Sequence, residues 1–364
     1  MTLLIAFVVL FFTIVQLIIV SVNLILKPDL TLPISANMPL VSVLIPARNE
    51  EKNIGLILTD LIGQEYTNLE IIVFDDQSED KTAQMVKLLS LTDNRIKLIS
   101  SQGLPDGWLG KNFACHTLSS QAHGDYFLFL DADVRIERDI ISQTIYYSTR
   151  HNLGLLSIFP HQMLESVGER VTVPLMNYIL LTLLPLPLVL RSGLPSLAAA
   201  NGQFMFFNAQ TYQNNYPHEA HKRNRVEDIA IARYYKEKKI RVACLIGNKS
   251  IKCRMYTGFN DAVDGFSKNI TAFFGNSFLL ATLFWLITTL GFIPILLTFQ
   301  LNIFIGYLVI VIVSRIIVAI TSKQRVLDSL IYLIPQQITI GWVIVRAFIN
   351  NFFYHYQWKG RNIS

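Results

Sequence analysis

Two carboxylates one residue apart, Asp131 and Asp133, are the side chains of this chain best suited to chemistry. They follow an unbroken apolar run, 126–130, which is typical of a strand buried on both faces of a mostly parallel sheet. Open α/β sheets bind ligands at the edge where such strands end. Side chains at positions i and i+2 there can both bind a hard cation through oxygen. We therefore predict a metal or phosphate site at Asp131 and Asp133, with a solvated turn as the alternative.

Sequence context separates this pair from a second acid-x-acid triplet, Glu137-Arg138-Asp139. With 26 acidic residues in 364, roughly two such triplets are expected by chance. The second triplet opens an amphipathic helix, where acids favour the helix dipole. Only the first closes a buried strand, so we assign the chemistry to it.

Three further polar clusters follow predicted strands or open a predicted helix. They are Pro46-Ala47-Arg48-Asn-Glu50, Asp75-Asp76 and Glu227-Asp228. Asp76 is a candidate hydrogen-bond acceptor for a base or ribose, and two helix-capping acids before Ser78 are the alternative. Asp228 is a candidate base, supported by Glu227, and an acidic first turn that stabilises the helix dipole is the alternative. Lys111, after a Gly-rich loop, is a candidate phosphate ligand, with a solvated surface lysine as the alternative.

Alternating strand and helix patterns must position these clusters. Apolar runs predict strands over 41–46, 69–74, 96–100, 126–130 and 153–160, and apolar residues at helical spacing predict helices over 53–64, 81–91 and 113–122. This alternation predicts an α/β fold, a doubly wound and mostly parallel sheet flanked by helices. We predict that this α/β fold forms one catalytic domain, residues 38–273.

The composition indicates that part of the chain lies in lipid, because 52% of its residues are hydrophobic and only 16% are charged. The uncharged run 3–26 predicts an uncleaved anchor within 1–27. Runs 278–299 and 301–320 predict spans within a carboxyl-terminal membrane region, 274–350, followed by a tail, 351–364. The run 326–348 carries Asp328, Pro335 and Arg346, so it either spans against partners or lies at the interface. Arg315 is expected to face protein rather than lipid.

The basic residues that flank these runs predict the orientation. Lys27, Lys268, Lys323 and Arg325 all face the cytoplasm if the amino terminus is outside. This predicts a multi-pass protein of the cell membrane with a cytoplasmic catalytic domain and membrane lipids as partners. Residues 171–191 are apolar but interrupted by prolines, which predicts a segment in the membrane interface, with a buried core helix as the alternative.

Neither a nucleic-acid partner nor a disulfide bond is expected from the sequence. No basic patch interleaved with aromatics occurs, so we expect no nucleic-acid partner. The three cysteines, Cys115, Cys244 and Cys253, lack metal-ligand spacing and are odd in number. We therefore expect reduced thiols.

The order of these clusters, between an amino-terminal anchor and carboxyl-terminal spans, resembles the family 2 glycosyltransferases of the GT-A fold. The resemblance is greatest to carotenoid-type members, which are membrane enzymes that glycosylate lipids. It includes the Pro-Ala-Arg-Asn-Glu-Glu run from Pro46, Gly110-Lys111 followed by Ala114-Cys115, Arg254-Met-Tyr256, and the tail Trp358-Lys-Gly-Arg361. The Gln-x-x-Arg-Trp motif of the processive members is absent from the sequence, which favours transfer of a single sugar over polymer synthesis.

The resemblance implies a role for each matching residue. Pro46, Ala47, Arg48, Glu50 and Asp76 would bind the nucleotide, Asp131 the ribose, and Asp131 with Asp133 a Mg²⁺ or Mn²⁺ ion. Asp228 would be the base, and Arg254 would contact the diphosphate as a charge-assisted donor. The predicted function is inverting transfer of one hexose from a nucleotide sugar, expected to be UDP-linked, to a carotenoid or other apolar lipid.

Two other functions remain open on the sequence. The first is a polyprenyl-phosphate sugar transferase, which would need a basic site for the acceptor phosphate, at Arg191 or Lys268. The second is a membrane scaffold that binds nucleotide sugars without catalysis.

Overall fold

A seven-stranded, mostly parallel sheet forms the centre of the protein. The computed structural model describes residues 1–28, 30, 38–247, 249–353, 357–358 and 361–362. The strands, in chain order, are β1 (Val41–Ala47), β2 (Leu69–Asp75), β3 (Ile96–Ser100), β4 (Tyr126–Leu130), β5 (Val134–Ile136), β6 (Leu155–Phe159), β7 (His161–Gln162), β8 (Phe204–Asn208), β9 (Val242–Ile246), β10 (Ile251–Cys253), β11 (Gln357–Trp358) and β12 (Arg361–Asn362).

Helices cover both faces of the sheet. The first and last parts of the chain are also mainly helical. The helices up to the carboxyl end of the sheet domain are α1 (Thr2–Ile25), α2 (Ile54–Ile62), α3 (Thr82–Ser90), α4 (Gly110–Ser120), α5 (Ile140–His151), α6 (Val167–Thr172), α7 (Pro174–Leu183), α8 (Pro187–Arg191), α9 (Ala209–Asn215), α10 (Pro217–Ala220) and α11 (Glu227–Glu237). They are followed by α12 (Phe259–Asn269), α13 (Phe278–Leu290), α14 (Phe292–Thr298), α15 (Leu301–Thr321), α16 (Val326–Ile331) and α17 (Leu333–Phe353). Short 3₁₀ turns occupy Pro195–Leu197 and Ile270–Phe274.

The strand order of the main sheet is β3-β2-β1-β4-β8-β6-β9. Strand β8 is antiparallel to both of its neighbours, whereas the other pairs are parallel. The amino end of β8 therefore lies at the edge where β1, β4 and β6 end. The small-residue turn before Phe204 is placed beside Asp131 for this reason. A second, three-stranded sheet, β5-β10-β7, brings Cys253 and the residues after it to the same side.

The predicted α/β fold is confirmed, and the predicted elements differ from the observed ones mainly at their ends. Helix α2 buries Ile54, Ile57, Leu58 and Leu61. This is the spacing of one helical face. Strands β1, β2 and β4 are buried on both faces, as expected of strands covered by helices on each side.

Two helices, α1 and α15, are long and apolar enough to cross a membrane. A third crossing is counted if Phe259–Phe274 and Phe278–Leu290 form one span, although the chain bends by 98° between them. The predicted run 278–299 is divided at Gly291 into α13 and α14. The run 326–348 is likewise divided into α16 and α17. Lys359 and Gly360 of the predicted tail lie outside the described residues.

The proline-interrupted segment 171–191 contains the end of α6 together with α7 and α8. Helix α1 contacts it and stabilises the break between α7 and α8. Pro185 and Pro187 interrupt the helical hydrogen bonds after α7. The Asn23 side chain on α1 replaces them, donating to the carbonyls of Leu181 (3.0 Å) and Leu184 (2.9 Å) and accepting the Leu186 N–H (2.7 Å). Most of α7 is buried. The buried-helix alternative therefore describes α7, and a place in the membrane interface stays a prediction for the segment.

Arg315 is buried within the protein, as expected. Its guanidinium carbon lies 3.5 Å from the centre of the Tyr178 ring, and Nη1 donates to Gln336 Oε1 at 3.2 Å. Gln336 in turn donates to the Arg170 carbonyl (3.0 Å). The charge in α15 thus contacts α7 and α17 instead of lipid.

Candidate active site

A cavity of about 670 Å³ opens at the carboxyl edge of the main sheet. Its wall combines the residues after β1 and β4, the turn before β8, and the first turns of α4 and α11. Three of the four predicted clusters contribute to it, through Pro46, Arg48, Glu50, Asp131, Asp133, Glu227 and Asp228. The predicted phosphate ligands Lys111 and Arg254 also line it. Ala47 and Asp76 are not among the described residues that line it. Strand ends that are far apart in the sequence therefore converge on one space.

Lys111 lies between two of the acid clusters. Its Nζ is 2.8 Å from Asp131 Oδ1 and 3.4 Å from Glu227 Oε1. Helix α4 begins at Gly110, so Lys111 is in its first turn. Burial lowers the pKa of this ammonium group, but the charges of Asp131 and Glu227 raise it further, so the pKa is well above its usual range. The surface-lysine alternative is wrong, because Lys111 is a fixed positive charge inside the cavity.

Asp228 is held against the turn that precedes β8. Its Oδ2 accepts the Gly202 N–H at 2.9 Å, and its Oδ1 accepts the Ile229 N–H at 2.7 Å. A Cβ atom on Gly202 would lie 3.1 Å from Lys111 Nζ and 3.7 Å from Asp228 Oδ2. Asp228 is therefore in the same small volume as Lys111 and Asp131.

The environment of Asp228 suits a proton acceptor at neutral pH. Burial raises the pKa of its carboxyl group to about 7, and the adjacent charge of Glu227 adds to the rise. A base is most useful when its pKa is near the working pH. Both acids also occupy the first turn of α11, as the helix-dipole alternative requires. That alternative does not account for their burial in a cavity.

Asp131 and Asp133 have the properties expected of ligands for a divalent cation. Asp133 Oδ1 is buried without a hydrogen-bond partner. Burial raises the pKa of Asp133 to about 7, and the charges of Asp131 and Glu50 contribute. No group of three or more Asp, Glu, His or Cys side chains among the described residues is arranged to hold a metal. Mg²⁺ is commonly bound by one or two carboxylates, with substrate phosphates and water completing its shell. The two acids fit that mode of binding.

The loop after β1 is fastened to the loop after β2. Arg48 Nη1 donates to the Asp76 carbonyl at 2.6 Å, and the Glu50 N–H donates to Thr82 Oγ1 at 2.7 Å. Helix α3 begins only at Thr82, whose N–H is accepted by Asp80. The alternative, in which Asp75 and Asp76 cap this helix, is therefore wrong. Asp76 is buried and is not among the described residues that line the cavity, and its carbonyl accepts a hydrogen bond from Arg48, which does line it.

Arg254 lines the cavity and is held by two carboxylates. Its Nη1 is 2.6 Å from Glu165 Oε2 and its Nη2 is 2.9 Å from Glu169 Oε1. Glu169 is fully buried, and its N–H donates to Oγ of Ser166, the N-cap residue of α6. Burial alone would raise the pKa of Glu169, but Arg254 and the Glu165 N–H lower it below its usual value. Arg254 thus joins the cavity wall to α6.

The sequence did not assign roles to two parts of the wall. The first is the turn at Gly202, whose N–H binds Asp228; the run of small residues before it was the available signal. The second is one face of α12, formed by Asp261, Asp264, Gly265 and Lys268, of which the sequence had named only Lys268, as a basic site for an acceptor phosphate. These four residues recur at a spacing of three or four, which is the signal that a helical face lines a site.

The free thiols agree with the expectation of reduced cysteines. Cys115, Cys244 and Cys253 are all buried and none forms a disulfide. Cys253 lies next to the cavity, where its sulfur accepts from Gln203 Nε2 at 2.8 Å. Burial raises the pKa of this thiol well above its usual value, so it stays protonated.

Sequence comparison finds similarity to one family and to a set of curated relatives. Residues 42–173 match the model of Glycosyl transferase family 2. The chain is 26% identical over 239 residues to 4,4'-diaponeurosporenoate glycosyltransferase of Staphylococcus haemolyticus (strain JCSC1435), and 27% identical over 245 residues to that of Staphylococcus aureus (strain N315). These alignments cover 63% and 66% of this chain, and 60% and 63% of the relatives. The chain therefore spans about three fifths of the length of the curated relatives it matches.

Structure comparison extends the similarity to nearly the whole chain. A mannosyltransferase from Pyrobaculum calidifontis, solved in complex with GDP-Man and Mn²⁺, superposes with a TM-score of 0.57. The superposition covers 97% of this chain and 99% of that chain at 14% sequence identity. It supports the GT-A arrangement of the sheet together with the helices at both ends.

Proposed function

We propose that the chain, which matches the model of Glycosyl transferase family 2 over residues 42–173 and has a GT-A-like fold, is a glycosyltransferase that transfers a single hexose from a nucleotide sugar to an apolar lipid. The donor is a UDP-sugar, and the reaction inverts the anomeric carbon. The observation that carries this proposal is the convergence of Lys111, Asp131 and Glu227–Asp228 in one cavity that borders an apolar pocket.

The donor binds at the sheet edge. Pro46, Arg48 and Glu50 form the part of the wall that follows β1, where the base and ribose lie. Ala47 and Asp76 support it, because the Asp76 carbonyl accepts from Arg48 and the Ala47 carbonyl accepts the Asp76 N–H. The diphosphate lies near Lys111 and the first N–H groups of α4, because a helix amino terminus and a cation both favour phosphate. Arg254, which is held by Glu165 and Glu169, also lines the cavity and contributes a second cationic donor, its guanidinium, for the diphosphate.

Asp131 and Asp133 would hold a Mg²⁺ or Mn²⁺ ion, which when bound acts as a Lewis acid that neutralises charge on the departing diphosphate. The buried, unpartnered oxygen of Asp133 supports this assignment. Lys111 already neutralises Asp131 from the other side. Its fixed charge orients the donor before the reaction begins.

Transfer takes place by attack of an acceptor oxygen on the anomeric carbon. The bond from that carbon to the diphosphate oxygen breaks, and its electron pair leaves with the nucleoside diphosphate. A hydroxyl acceptor loses its proton to Asp228, whose pKa of about 7 suits this role. Glu227 supports the base by raising that pKa. Attack from the face opposite the diphosphate inverts the configuration.

Several observations support a lipid acceptor and a membrane location. The curated relatives carry the name of a carotenoid-type acceptor. Helices α1 and α15 are long and apolar enough to span a bilayer, and α7 packs against both. The basic flanks predict a cytoplasmic catalytic domain. We assign the protein to the cell membrane as a multi-pass enzyme on this basis.

The test is diphosphate release by the purified full-length protein. It is incubated in lipid nanodiscs with a panel of nucleotide sugars, Mn²⁺ or Mg²⁺, and lipid extract. We expect release of one diphosphate per glycosylated lipid with a hexose donor and no release after chelation with EDTA. Donor binding without any release, across the whole panel and with added extract, would contradict the proposal and favour a binding scaffold.

A further inference from the structure

Asn112 joins the first turn of α4 to the loop that precedes α11. This loop, residues 221–226, connects α10 to α11. Nδ2 of Asn112 donates to the carbonyl of His221 at 2.9 Å and to the carbonyl of Asn224 at 3.0 Å. Only 1% of Asn112 is exposed. A side-chain amide has two donor hydrogens, so both of them bind the backbone of one loop.

Helix α4 gives this amide a fixed support. Its buried side chains, Ala114, Cys115 and Leu118, belong to the core that packs on the main sheet. Just before the helix, the Leu109 N–H donates to the Lys222 carbonyl at 2.9 Å. Loop 221–226 is therefore fastened to the start of α4 at three of its carbonyls. The sheet positions α4, and α4 in turn positions the loop.

Most of loop 221–226 faces solvent. Residues 223–225 are exposed, so packing gives them little support. The N-cap residue of α11 is Val226, whose side chain forms no capping hydrogen bond. Ser, Thr, Asp and Asn are the usual N-cap residues, because their oxygens accept the first N–H groups of a helix. The start of α11 therefore depends on the hydrogen bonds that hold the loop to α4.

Glu227 and Asp228 directly follow this loop. Lys111, the neighbour of Asn112, lies 3.4 Å from Glu227 Oε1. Consecutive residues of an α-helix point about 100° apart, so these two side chains of α4 reach different targets. Lys111 contacts the acid pair, and Asn112 holds the chain that leads to it. One turn of α4 thus acts on α11 at two places.

We propose that Asn112 is a positioning residue, which holds loop 221–226 so that Asp228 lies beside Gly202 and Lys111, in line with the acceptor. This rests on the proposed function, in which Asp228 is the base. A reacting group that is displaced by about 1 Å can lose about 100-fold in rate. Asn112 acts through Asp228, because the hydrogens of its own amide are already bound to the loop.

Hydrogen exchange tests the structural part of the proposal without any turnover. Full-length wild type and Asn112→Ala are compared in nanodiscs in the absence of substrates. We expect the amides of residues 221–230 to exchange about tenfold faster in the variant, because the loop loses two hydrogen bonds. An unchanged exchange rate would overturn the proposal, whether or not the protein is a transferase.

Gln64→Ala is the matched control for this substitution. Gln64 is also a buried amide, and its Nε2 donates to two backbone carbonyls, those of Asp60 and Glu137. It is not among the described residues that line the cavity. The control should be destabilised to a similar degree while exchange of residues 221–230 and turnover stay as in the wild type. Loss of turnover in the control as well would reduce the role of Asn112 to general stability.

Turnover tests the functional part. With a hydroxyl acceptor, saturating donor and Mn²⁺, Asn112→Ala should lower kcat about tenfold to 100-fold and leave donor KM unchanged. In the Asp228→Asn background the same substitution should lower kcat less than about threefold, because coupled residues are not additive. Asn112→Gln, which keeps the amide on a longer side chain, should retain more of kcat than Asn112→Ala.

Two kinetic outcomes would overturn the proposal. One is a full, additive loss of kcat in the double variant, which would separate Asn112 from the base. The other is a rise in donor KM at constant kcat, which would place the Asn112 amide on the donor. A wild type that releases no diphosphate would contradict the proposed function instead, and the exchange result would then decide on Asn112 by itself.

Discussion

The two halves of the cavity are built in different ways. The half that we propose for the donor consists of residues that directly follow strands of the sheet or begin the helices packed on it, such as Asp131 and Lys111. The half that we propose for the acceptor consists of helices α7, α12 and α17, whose side chains line one apolar pocket although more than 60 residues separate each helix from the next. A sheet edge fixes its residues through backbone hydrogen bonds, whereas a helical wall depends on side-chain packing. We therefore expect substitutions in the donor half to affect chemistry, and those in the acceptor half to affect acceptor choice or stability.

The largest effect should come from Asp133→Asn. The substitution removes a charge next to the proposed cation, and metal ions contribute several kcal/mol to such reactions, so turnover should fall about 1000-fold. Diphosphate release at saturating Mn²⁺ measures this. Glu137→Gln is the matched control, because it changes an acid of the second triplet, which lies outside the cavity. Equal activity of the Asn variant and the wild type would remove Asp133 from the site.

The second largest effect should come from Asp228→Asn. With a hydroxyl acceptor we expect kcat to fall about 100-fold or more, since proton transfer to a positioned base contributes at least that much. With an ionised acceptor the fall should be smaller. Donor binding, measured by calorimetry, should be retained in both cases. If release continued at the wild-type rate with both acceptors, Asp228 would have no part in the reaction.

A smaller effect, on stability, is expected for Asn23→Leu. It removes the partner of three backbone groups around Pro185 and Pro187, and buried groups without partners cost about 1–3 kcal/mol each. The apparent melting temperature in detergent should fall, and acceptor KM should rise more than donor KM. Thr13→Val on the same helix is the control, because Thr13 donates only to Val9 of its own helix. An unchanged melting temperature would show that α1 does not support the acceptor half.

The smallest effect should be a change in pH dependence in Glu227→Gln. A base with a pKa of about 7 is charged only above that pH, so turnover with a hydroxyl acceptor should rise as the pH passes through 7. Loss of the Glu227 charge lowers the pKa of Asp228, which moves the acidic limb to lower pH by roughly one unit at most. Burial is the larger cause of the raised pKa of Asp228, and the substitution does not remove it. A limb that does not move, or that moves to higher pH, would contradict the assignment of Asp228.

Sequence patterns predicted the donor half better than the acceptor half. The acids at the end of β4 and at the start of α11 could be placed from the sequence alone, because each lies beside a strand or helix that its local residue pattern predicts. The sequence did not indicate that Asp76 is buried away from the cavity lining, because the loop after β2 is joined to the loop after β1 by Arg48, which donates to the Asp76 carbonyl. It also gave Gly202 no role, since the turn reaches Asp228 only because β8 runs antiparallel.

The sequence by itself determined the α/β alternation, the strand-end acids and the apolar ends of the chain, since each depends on residues close together along the chain. Only the tertiary structure decided that Lys111 lies between Asp131 and Glu227, that Asn23 supports the segment broken by prolines, and that Asn112 holds the loop before α11. These contacts join residues more than 80 positions apart in most cases. Their free energy comes from packing and burial, which no local pattern encodes.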